Sequence, residues 1–372
     1  MKSYALSSTK TKATVCAVFA AAFYAISVPM SKLLIVNIQP AMLAAFLYLG
    51  AGVGMLLTIL LPHVMGKDSS EKTHAKADTA AEHSPLNRQD LPYVLAMIGL
   101  DIVAPILLMF GISLTTSATV SLLNNFEIVA TSVVAFAAFK ETVSRQLWIA
   151  IALVTVSSII LSVEGDASFS LNYGAAFVLA ACVCWGIENN CTTRLATKSP
   201  QQIVVIKGVF SGLGCFIVAR MLAEEIPTIG ISAAAMIVGF IGYGLSITFY
   251  IFAQRNLGAA KTSAYYAIAP FLGVAFSMIF LGELPKLQFW VALLIMVCAT
   301  YLMVKDSVQL QHEHLHSHTH THVHSHGDVV HCHEHTHSHS HPHAHHSSSA
   351  ETEHDHEHSF LNDIHDHSGH SH

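Results

Sequence analysis

The sequence has few charged residues: Asp, Glu, Lys and Arg make up only 11% of its 372 residues, whereas 52% are hydrophobic. A soluble domain of ordinary composition carries about 25% charged residues. The composition therefore argues against the alternative to a membrane protein, a large all-α core dissolved in water.

Basic residues are missing from the C-terminal part of the chain. No Lys or Arg follows Lys305, whereas ten acidic residues do. Because the net charge of the whole chain is −6, residues 1–305 carry +4, from 18 bases and 14 acids. The negative net charge belongs to the tail and does not describe the rest of the protein.

Several signatures of catalysis and processing are also missing. The chain has no G-x-x-x-x-G-K-S/T loop and no nucleophile–base constellation, so we expect neither ATP-driven transport nor an enzyme. No small-residue cleavage site follows the first apolar run. We therefore expect that run to be a retained helix after a basic cytoplasmic segment, 1–12, rather than a signal peptide.

Long apolar runs are abundant. A helix that crosses a membrane needs about 20 mostly apolar residues, because lipid cannot hydrogen-bond to an exposed backbone. Ten segments qualify, and they predict an all-α integral membrane fold of ten transmembrane helices: 13–34, 40–61, 91–112, 115–138, 146–163, 174–195, 202–221, 231–253, 260–281 and 287–304.

The distribution of Lys and Arg predicts the orientation of these helices. With the N-terminus in the cytoplasm, fourteen basic residues fall at cytoplasmic ends and in the polar loop 62–90, and only Lys32, Arg220 and Lys286 fall at outer ends. Basic residues favour the cytoplasmic side. We therefore expect a multi-pass protein of the plasma (inner) membrane with both termini inside.

The chain contains an internal repeat. ETVSRQLWIA, starting at Glu141, and ELPKLQFWVA, starting at Glu283, share E-x4-Q-x-W and lie 142 residues apart. FYAISVPMSK from Phe23 is paralleled by WGIENNCTTR from Trp185. The repeats, 13–163 and 172–304, each hold five helices, so they are inserted in opposite directions, as in many secondary transporters.

These residues, together with Gly258-Ala-Ala-Lys-Thr-Ser263 before a span that ends in Gly282-Glu283-Leu284, resemble the EamA-type permeases of the drug/metabolite transporter superfamily. The resemblance covers 13–304, with Lys140 where the second repeat has Gly282. It implies two inverted five-helix bundles and a central cavity lined by the first four helices of each half. The substrates of that family include amino acids, other metabolites and drugs.

Ionisable groups within the spans are costly, so each is a candidate for binding a substrate or a coupling ion. The candidates are Asp101, Glu127 and Glu188, with the neighbouring amides Asn124, Asn125, Asn189 and Asn190. Carboxylates beside amides can coordinate a cation or carry a proton. The alternative is that these groups only hydrogen-bond between helices. We interpret Lys207 as an interfacial residue that extends to the membrane surface, and Glu283 as a residue that closes its preceding helix.

The tail, 305–372, holds 24 of the 27 histidines of the chain, mostly at alternate positions. With almost no apolar residues it predicts disorder. Neighbouring imidazoles and a thiolate suit Zn, Ni or Co, so we expect divalent metal on the tail and no cofactor in the core. The candidate ligands are His312, His314, His316, His318, His320, His322, His324, His326, His331, Cys332, His333, His335, His337, His339, His341 and His343.

Three functions remain open at this point. The first is a transporter of a small polar metabolite or drug-like solute whose tail buffers or senses metal. The second is a transporter of a divalent metal or a metal chelator loaded by the tail. The third, a metal-storage or sensor protein anchored by its helices, is disfavoured because an anchor needs one helix. The expected partners are the lipid bilayer and the solute or cation, with no nucleic acid; a homodimer is left open.

Overall fold

The structure is a computed structural model that describes residues 2–64, 87–140, 143–164, 170–195, 200–257, 259–326 and 329–344. Over these residues, ten helical segments are long and apolar enough to cross a membrane, which confirms the all-α membrane fold. We call them spans 1 to 10: Thr11–Leu34, Pro40–Leu60, Arg88–Leu114, Ser117–Ala138, Arg145–Ser162, Tyr173–Thr193, Gln202–Met221, Ile229–Gln254, Lys261–Leu281 and Leu287–Asp306.

Six of the spans belong to helices without a break. These helices are Lys2–Leu34, Pro40–Val64, Leu91–Leu114, Arg145–Ser162, Tyr173–Thr193 and Leu287–Leu310. Side chains cap several starts: Thr116 accepts from the Thr119 N–H at 3.2 Å before span 4, and Asn172 accepts from the Ala175 N–H at 3.1 Å before span 6. Such caps satisfy N–H groups that the helix itself leaves free.

Spans 4 and 9 are each broken at the equivalent place. Span 4 is formed by the helices Ser117–Leu123 and Phe126–Phe139, and span 9 lies within the helices Ala259–Tyr266 and Ala269–Leu281. Both spans also end on a left-handed residue, Lys140 at φ 56° and Gly282 at φ 63°, which lie 142 residues apart. The repeat seen in the sequence is therefore present in the backbone conformation of both halves.

Spans 7 and 8 each contain a π-helical segment. In span 7, Lys207–Ser211 lies between Pro200–Ile206 and Gly212–Met221. In span 8, Phe240–Leu245 lies between Ile229–Gly239 and Ser246–Leu257. Such segments insert an extra residue into a helical turn and are frequent at functional sites.

The two halves of the chain interleave. Span 1 packs on spans 8 and 9, and span 6 packs on spans 3 and 4, which is the same arrangement with the halves exchanged. Span 2 packs on span 7, and span 5 packs on span 10. These pairings follow a pseudo-two-fold relationship, as expected of inverted repeats.

Spans 2 and 7 cross where both have glycine. A Cβ atom on Gly208 would lie 2.4 Å from the Cα of Gly52. Small residues allow helix backbones to approach closely in lipid. Because Gly208 follows Lys207, this contact fixes the position of the only lysine among the described residues that line the central cavity.

Since the described spans number ten, both ends of the membrane part lie at one end of the bundle. We call this the terminal end, near Thr11 and Asp306, and the other the far end, near Leu34 and Ser117. At the terminal end, the Ser144 hydroxyl donates to the Asp306 carboxylate at 2.5 Å and links span 5 to span 10.

Two pairs of strands occur outside the spans. Val163–Glu164 pairs with Ser170–Leu171, and Gln311–His326 pairs antiparallel with Val329–Ala344. The last helix continues to Leu310, and the second of these strand pairs follows it. The disorder of the tail stays a prediction. Residues 345–372 lie outside the described part.

Candidate functional site

A cavity of about 360 Å³ lies between the two halves. Small-molecule sites usually occupy about 300–1,000 Å³. The lining residues come from spans 1 to 4 and 6 to 9, and among the described residues none comes from span 5 or 10. They are Tyr24, Tyr48, Ala51, Asp101, Glu127, Trp185, Glu188, Asn189, Val204, Lys207, Gly208, Gly242, Tyr243, Ile247, Tyr250 and Tyr266.

The cavity extends from near the terminal end to about the middle of the bundle. Val204 follows the start of span 7 at Gln202 by two residues, and Tyr250 precedes the end of span 8 at Gln254 by four. Asp101 lies ten residues into the helix that begins at Leu91, about 15 Å at 1.5 Å per residue. Solute therefore has the shorter path from the terminal end.

Lys207 lies between two carboxylates in this cavity. Its Nζ is 3.1 Å from Oδ2 of Asp101 and 3.0 Å from Oε1 of Glu188. The two acidic side chains are 0% and 1% exposed, whereas the lysine side chain is 25% exposed. The Tyr48 hydroxyl donates to Asp101 at 3.4 Å, and the Thr192 hydroxyl donates to Glu188. Because an unpaired charge is very costly away from water, Lys207 stabilises both acids in their ionised form.

Glu127 has a different environment. Its Oε1 accepts from Nδ2 of Asn189 at 2.8 Å, and the same amide nitrogen donates to the Thr131 hydroxyl at 3.2 Å. The ion pairs of Lys207 are with Asp101 and Glu188. Three carboxylates and one ammonium thus share the cavity, which carries a formal charge of −2 when all four groups are ionised.

The break in span 4 positions Glu127. The helix restarts at Phe126, so Glu127 lies in the first turn of the new segment. The N-terminus of a helix has a partial positive charge that favours a carboxylate. The interruption at Asn124 and Asn125 therefore creates a suitable position for an acid in the middle of the membrane.

Five tyrosines form a continuous aromatic wall, which we call the tyrosine wall. Tyr48 contacts Tyr243, with ring centroids 5.8 Å apart, and Tyr243 contacts Tyr24 at 6.2 Å. Tyr24 contacts Tyr266 at 5.8 Å, and Tyr266 contacts Tyr250 at 5.1 Å. The wall draws on both halves, and it faces the same cavity as the charged groups.

The structure brings four of the seven predicted site residues together in the cavity: Asp101, Glu127, Glu188 and Asn189. They come from three spans and from both halves of the chain. That these residues bind a substrate or a coupling ion stays a prediction.

The other three predicted residues bond to backbone or are buried elsewhere. Asn190 donates to the carbonyls of Thr131, at 3.1 Å, and Gly186, at 2.8 Å, and Asn125 donates to the Leu122 carbonyl at 3.2 Å. Asn124 is buried and is not among the lining residues. Neighbouring helical positions point about 100° apart, so Asn190 faces away from the cavity that Asn189 lines.

The interpretation of Lys207 as an interfacial residue is wrong. Its ammonium group lies inside the bundle in two ion pairs, although the residue is only seven positions from Pro200, where the helix begins. Its flexible stem can point inward as well as toward the membrane surface. The inward direction is favoured here because Asp101 and Glu188 lie where they can pair with the ammonium.

The tyrosine wall was missed by sequence reasoning. One signal was available: Tyr243 and Tyr250 lie seven residues apart, about two helical turns, and therefore share a face of span 8. The contribution of Tyr24, Tyr48 and Tyr266 depends on how spans 1, 2 and 9 pack against that face.

Comparison with known proteins agrees with this architecture. The model of the EamA-like transporter family matches residues 11–163 and 172–305, one segment for each half. The chain belongs to the EamA-like transporter family. It is therefore a multi-pass membrane transporter of that family, and transport rather than catalysis is the activity that the family indicates.

One curated protein and one solved structure are similar to this EamA-like chain. An uncharacterized transporter of Methanothermobacter thermautotrophicus is 25% identical over 274 residues, which cover 70% of this chain and 77% of the relative. A protein of known crystal structure is 15% identical, covers 80% of this chain and 97% of its own, and superposes with a TM-score of 0.54. The second likeness supports the fold alone.

The predicted metal ligands of the tail lie outside the residues whose side chains the structure describes. The register pairs histidine positions across the two strands, for example His312 with His343 and His318 with His337. Among the described side chains, no group of three or more His, Cys, Asp or Glu residues is arranged to hold a metal ion. Metal binding by the tail stays a prediction.

Proposed function

We propose that this protein is a secondary transporter that moves a small polar metabolite or drug-like solute across the plasma membrane by alternating access. The observation that carries the proposal is the cavity between the two halves, lined by eight spans and containing Asp101, Glu127, Glu188 and Lys207. A purely structural polar network would fill its space, whereas this one borders a volume of about 360 Å³.

Polar contacts at the far end support alternating access. Glu283 accepts from the N–H groups of Ser117, at 2.9 Å, and Ala118, at 2.8 Å. Glu224 accepts from the N–H group of Met42 at 2.6 Å. In both cases a carboxylate of the second half caps a helix of the first half; we call these two contacts the far-end clasps. For solute to leave on that side, the clasps must open.

A second cavity, of about 450 Å³, lies at the far end beside one clasp. Lys32, Asn172 and Glu283 are among its lining residues. Lys32 donates to the carbonyls of Ile112, at 2.5 Å, and Thr115, at 2.7 Å, at the C-terminal end of the span 3 helix. This polar vestibule is a natural continuation of the solute path once the clasps release.

The distribution of basic residues supports cytoplasmic termini, as argued from the sequence. In that orientation the terminal end faces the cytoplasm and the clasps lie on the outer side. The tail then meets cytosolic metal, where it would act as a buffer or a sensor of divalent ions.

A divalent metal or its chelator is the second candidate substrate, because the tail could load it. The geometry of the central cavity is less suited to a bare metal ion. Lys207 already occupies the position between Asp101 and Glu188 where an inorganic cation would bind. A storage or sensor protein that merely uses its helices as an anchor has no need of a cavity between interleaved halves.

The test is metal and metabolite profiling of cells that lack the protein and cells that overproduce it. We expect overproduction to change the level of a small organic solute. Val204→Trp, which fills the cavity, should abolish the change, whereas Val183→Trp, on an exposed face of span 6, should preserve it. If both variants behave like the parent protein, the cavity is not the transport path.

A further inference from the structure

We propose that the central cavity selects a small organic cation, with an ammonium group attached to an apolar or aromatic body. The inference rests on the proposed transport function and names the substrate class of the same site. The charge of the cavity, its tyrosine wall and its volume carry the argument.

The charge of the cavity favours a cation. Asp101 and Glu188 share the single ammonium of Lys207, and Glu127 is held by an amide rather than by a base. In a site with low-dielectric walls, an uncompensated carboxylate attracts positive charge and repels an anion. Glu127 is therefore the group to which the ammonium of a solute binds.

The tyrosine wall favours an organic rather than an inorganic cation. Glu127 lines the same cavity as Tyr24 and Tyr266, so the acid that has no ion pair with Lys207 adjoins the wall. The faces of aromatic rings attract ammonium groups, and they also pack against apolar groups. A bare metal ion uses neither property, whereas an arylalkyl ammonium ion uses both.

Lys207 supplies one positive charge within the cavity. Its ammonium neutralises one of the two acids that it contacts, so the three groups together keep one negative charge in excess. A solute ammonium at Glu127 then adds positive charge without displacing Lys207.

The experiment uses the full chain in detergent with three probes of nearly equal shape: benzylammonium, benzyl alcohol and benzoate. Calorimetry and the melting temperature report binding, because a ligand that binds the folded state raises its stability. We expect benzylammonium to bind and to raise the melting temperature, benzyl alcohol to bind at least tenfold more weakly, and benzoate not to bind.

Three variants locate the binding. Tyr243→Leu should weaken benzylammonium binding by about threefold to thirtyfold, the range of one cation–π contact. Glu127→Gln keeps the acceptor for Asn189 and should weaken binding by about tenfold or more. Phe276→Leu, which removes a ring of the Phe276–Phe280 pair away from the cavity lining, should leave binding unchanged. Melting without ligand confirms that each variant is folded.

Equal binding of the three probes, preferred binding of benzoate, or benzylammonium binding that survives both cavity variants would overturn the inference. A second outcome also overturns the inference: no probe binds, and profiling finds a neutral or anionic solute whose level changes in Val204→Trp. In that case the cation inference fails, whereas the proposal of transport through the cavity is retained. If Val204→Trp leaves every solute level unchanged, the transport proposal itself fails.

Discussion

The carboxylate of Glu283 accepts a hydrogen bond from the backbone N–H of Ser117, which lies 166 residues earlier in the chain, at 2.9 Å. We predicted that Glu283 would close its preceding helix, span 9; instead it caps the start of span 4 in the other half. Its counterpart in the first repeat, Glu141, lies outside the described residues. The contact ties the halves together at the far end.

Glu283→Gln should weaken this clasp, because an amide is a poorer partner than a carboxylate for two N–H groups at a helix start. Loss of a cap costs about 0.5–2 kcal/mol. Hydrogen–deuterium exchange of peptides covering 115–123 should therefore become faster by about twofold to thirtyfold. Glu225→Gln, an exposed acid at the same end, is the control and should leave exchange unchanged. Unaltered exchange in Glu283→Gln would show that the clasp does not hold span 4.

Lys207→Met should destabilise the folded protein, because it leaves Asp101 and Glu188 without their base. Breaking a buried ion pair costs about 3–5 kcal/mol, and the 25% exposure of the lysine side chain places the effect at the lower end. Thermal unfolding in detergent measures it. Adding Asp101→Asn and Glu188→Gln to Lys207→Met should restore much of the stability. If Lys207→Met alone left the thermal unfolding unchanged, Lys207 would be an interfacial residue rather than the partner of the two acids.

Glu127→Gln and Glu188→Gln should each abolish or strongly reduce transport while the protein stays in the membrane. Gln keeps the shape and hydrogen bonding of Glu but cannot ionise, so a role in holding helices together would tolerate it. The measurement is solute uptake as a function of pH, with Asn190→Ala as a variant of a nearby polar residue outside the cavity. Normal transport and an unchanged pH profile in both Gln variants would show that the two carboxylates only hold helices together.

The tail should bind most of the divalent metal. Truncation after Lys305 would remove Asp306, which accepts a hydrogen bond from Ser144. Truncation after Leu310 keeps that contact, so the ten spans should stay folded. Zn or Ni stoichiometry should fall sharply, and binding to the full chain should fade below about pH 6, since neutral imidazole is the ligand. Equal metal binding by full-length and truncated protein would remove the support for a metal role.

Lys140→Gly should stabilise the protein. Lys140 is an exposed residue at φ 56°, where a side chain costs about 1–2 kcal/mol, and its counterpart Gly282 has the same conformation without that cost. The entropy of the added glycine offsets part of the gain, so we expect an increase of about 0.5–1 kcal/mol in thermal unfolding. Gly282→Ala is the matched opposite change and should destabilise. A loss of stability in Lys140→Gly would mean that its side chain makes a compensating contact.

The sequence by itself determined the ten spans and the inverted repeat. Both follow from local chemistry: a run of about 20 apolar residues satisfies its backbone within lipid, and five spans per repeat reverse the direction of insertion. It also identified Asp101, Glu127 and Glu188 as candidates, because an acid within a span is costly wherever the chain goes.

Only the tertiary structure decided which polar groups meet. Lys207 contacts an acid that lies 106 residues before it, and the tyrosine wall joins rings from four spans. These contacts depend on the crossing of helices at Gly52 and Gly208 and on π-helical turns, which change the direction of a side chain by a fraction of a turn. Periodicity along one helix carries no information about that packing, so it cannot tell a lysine at the membrane surface from one that holds two acids in a binding cavity.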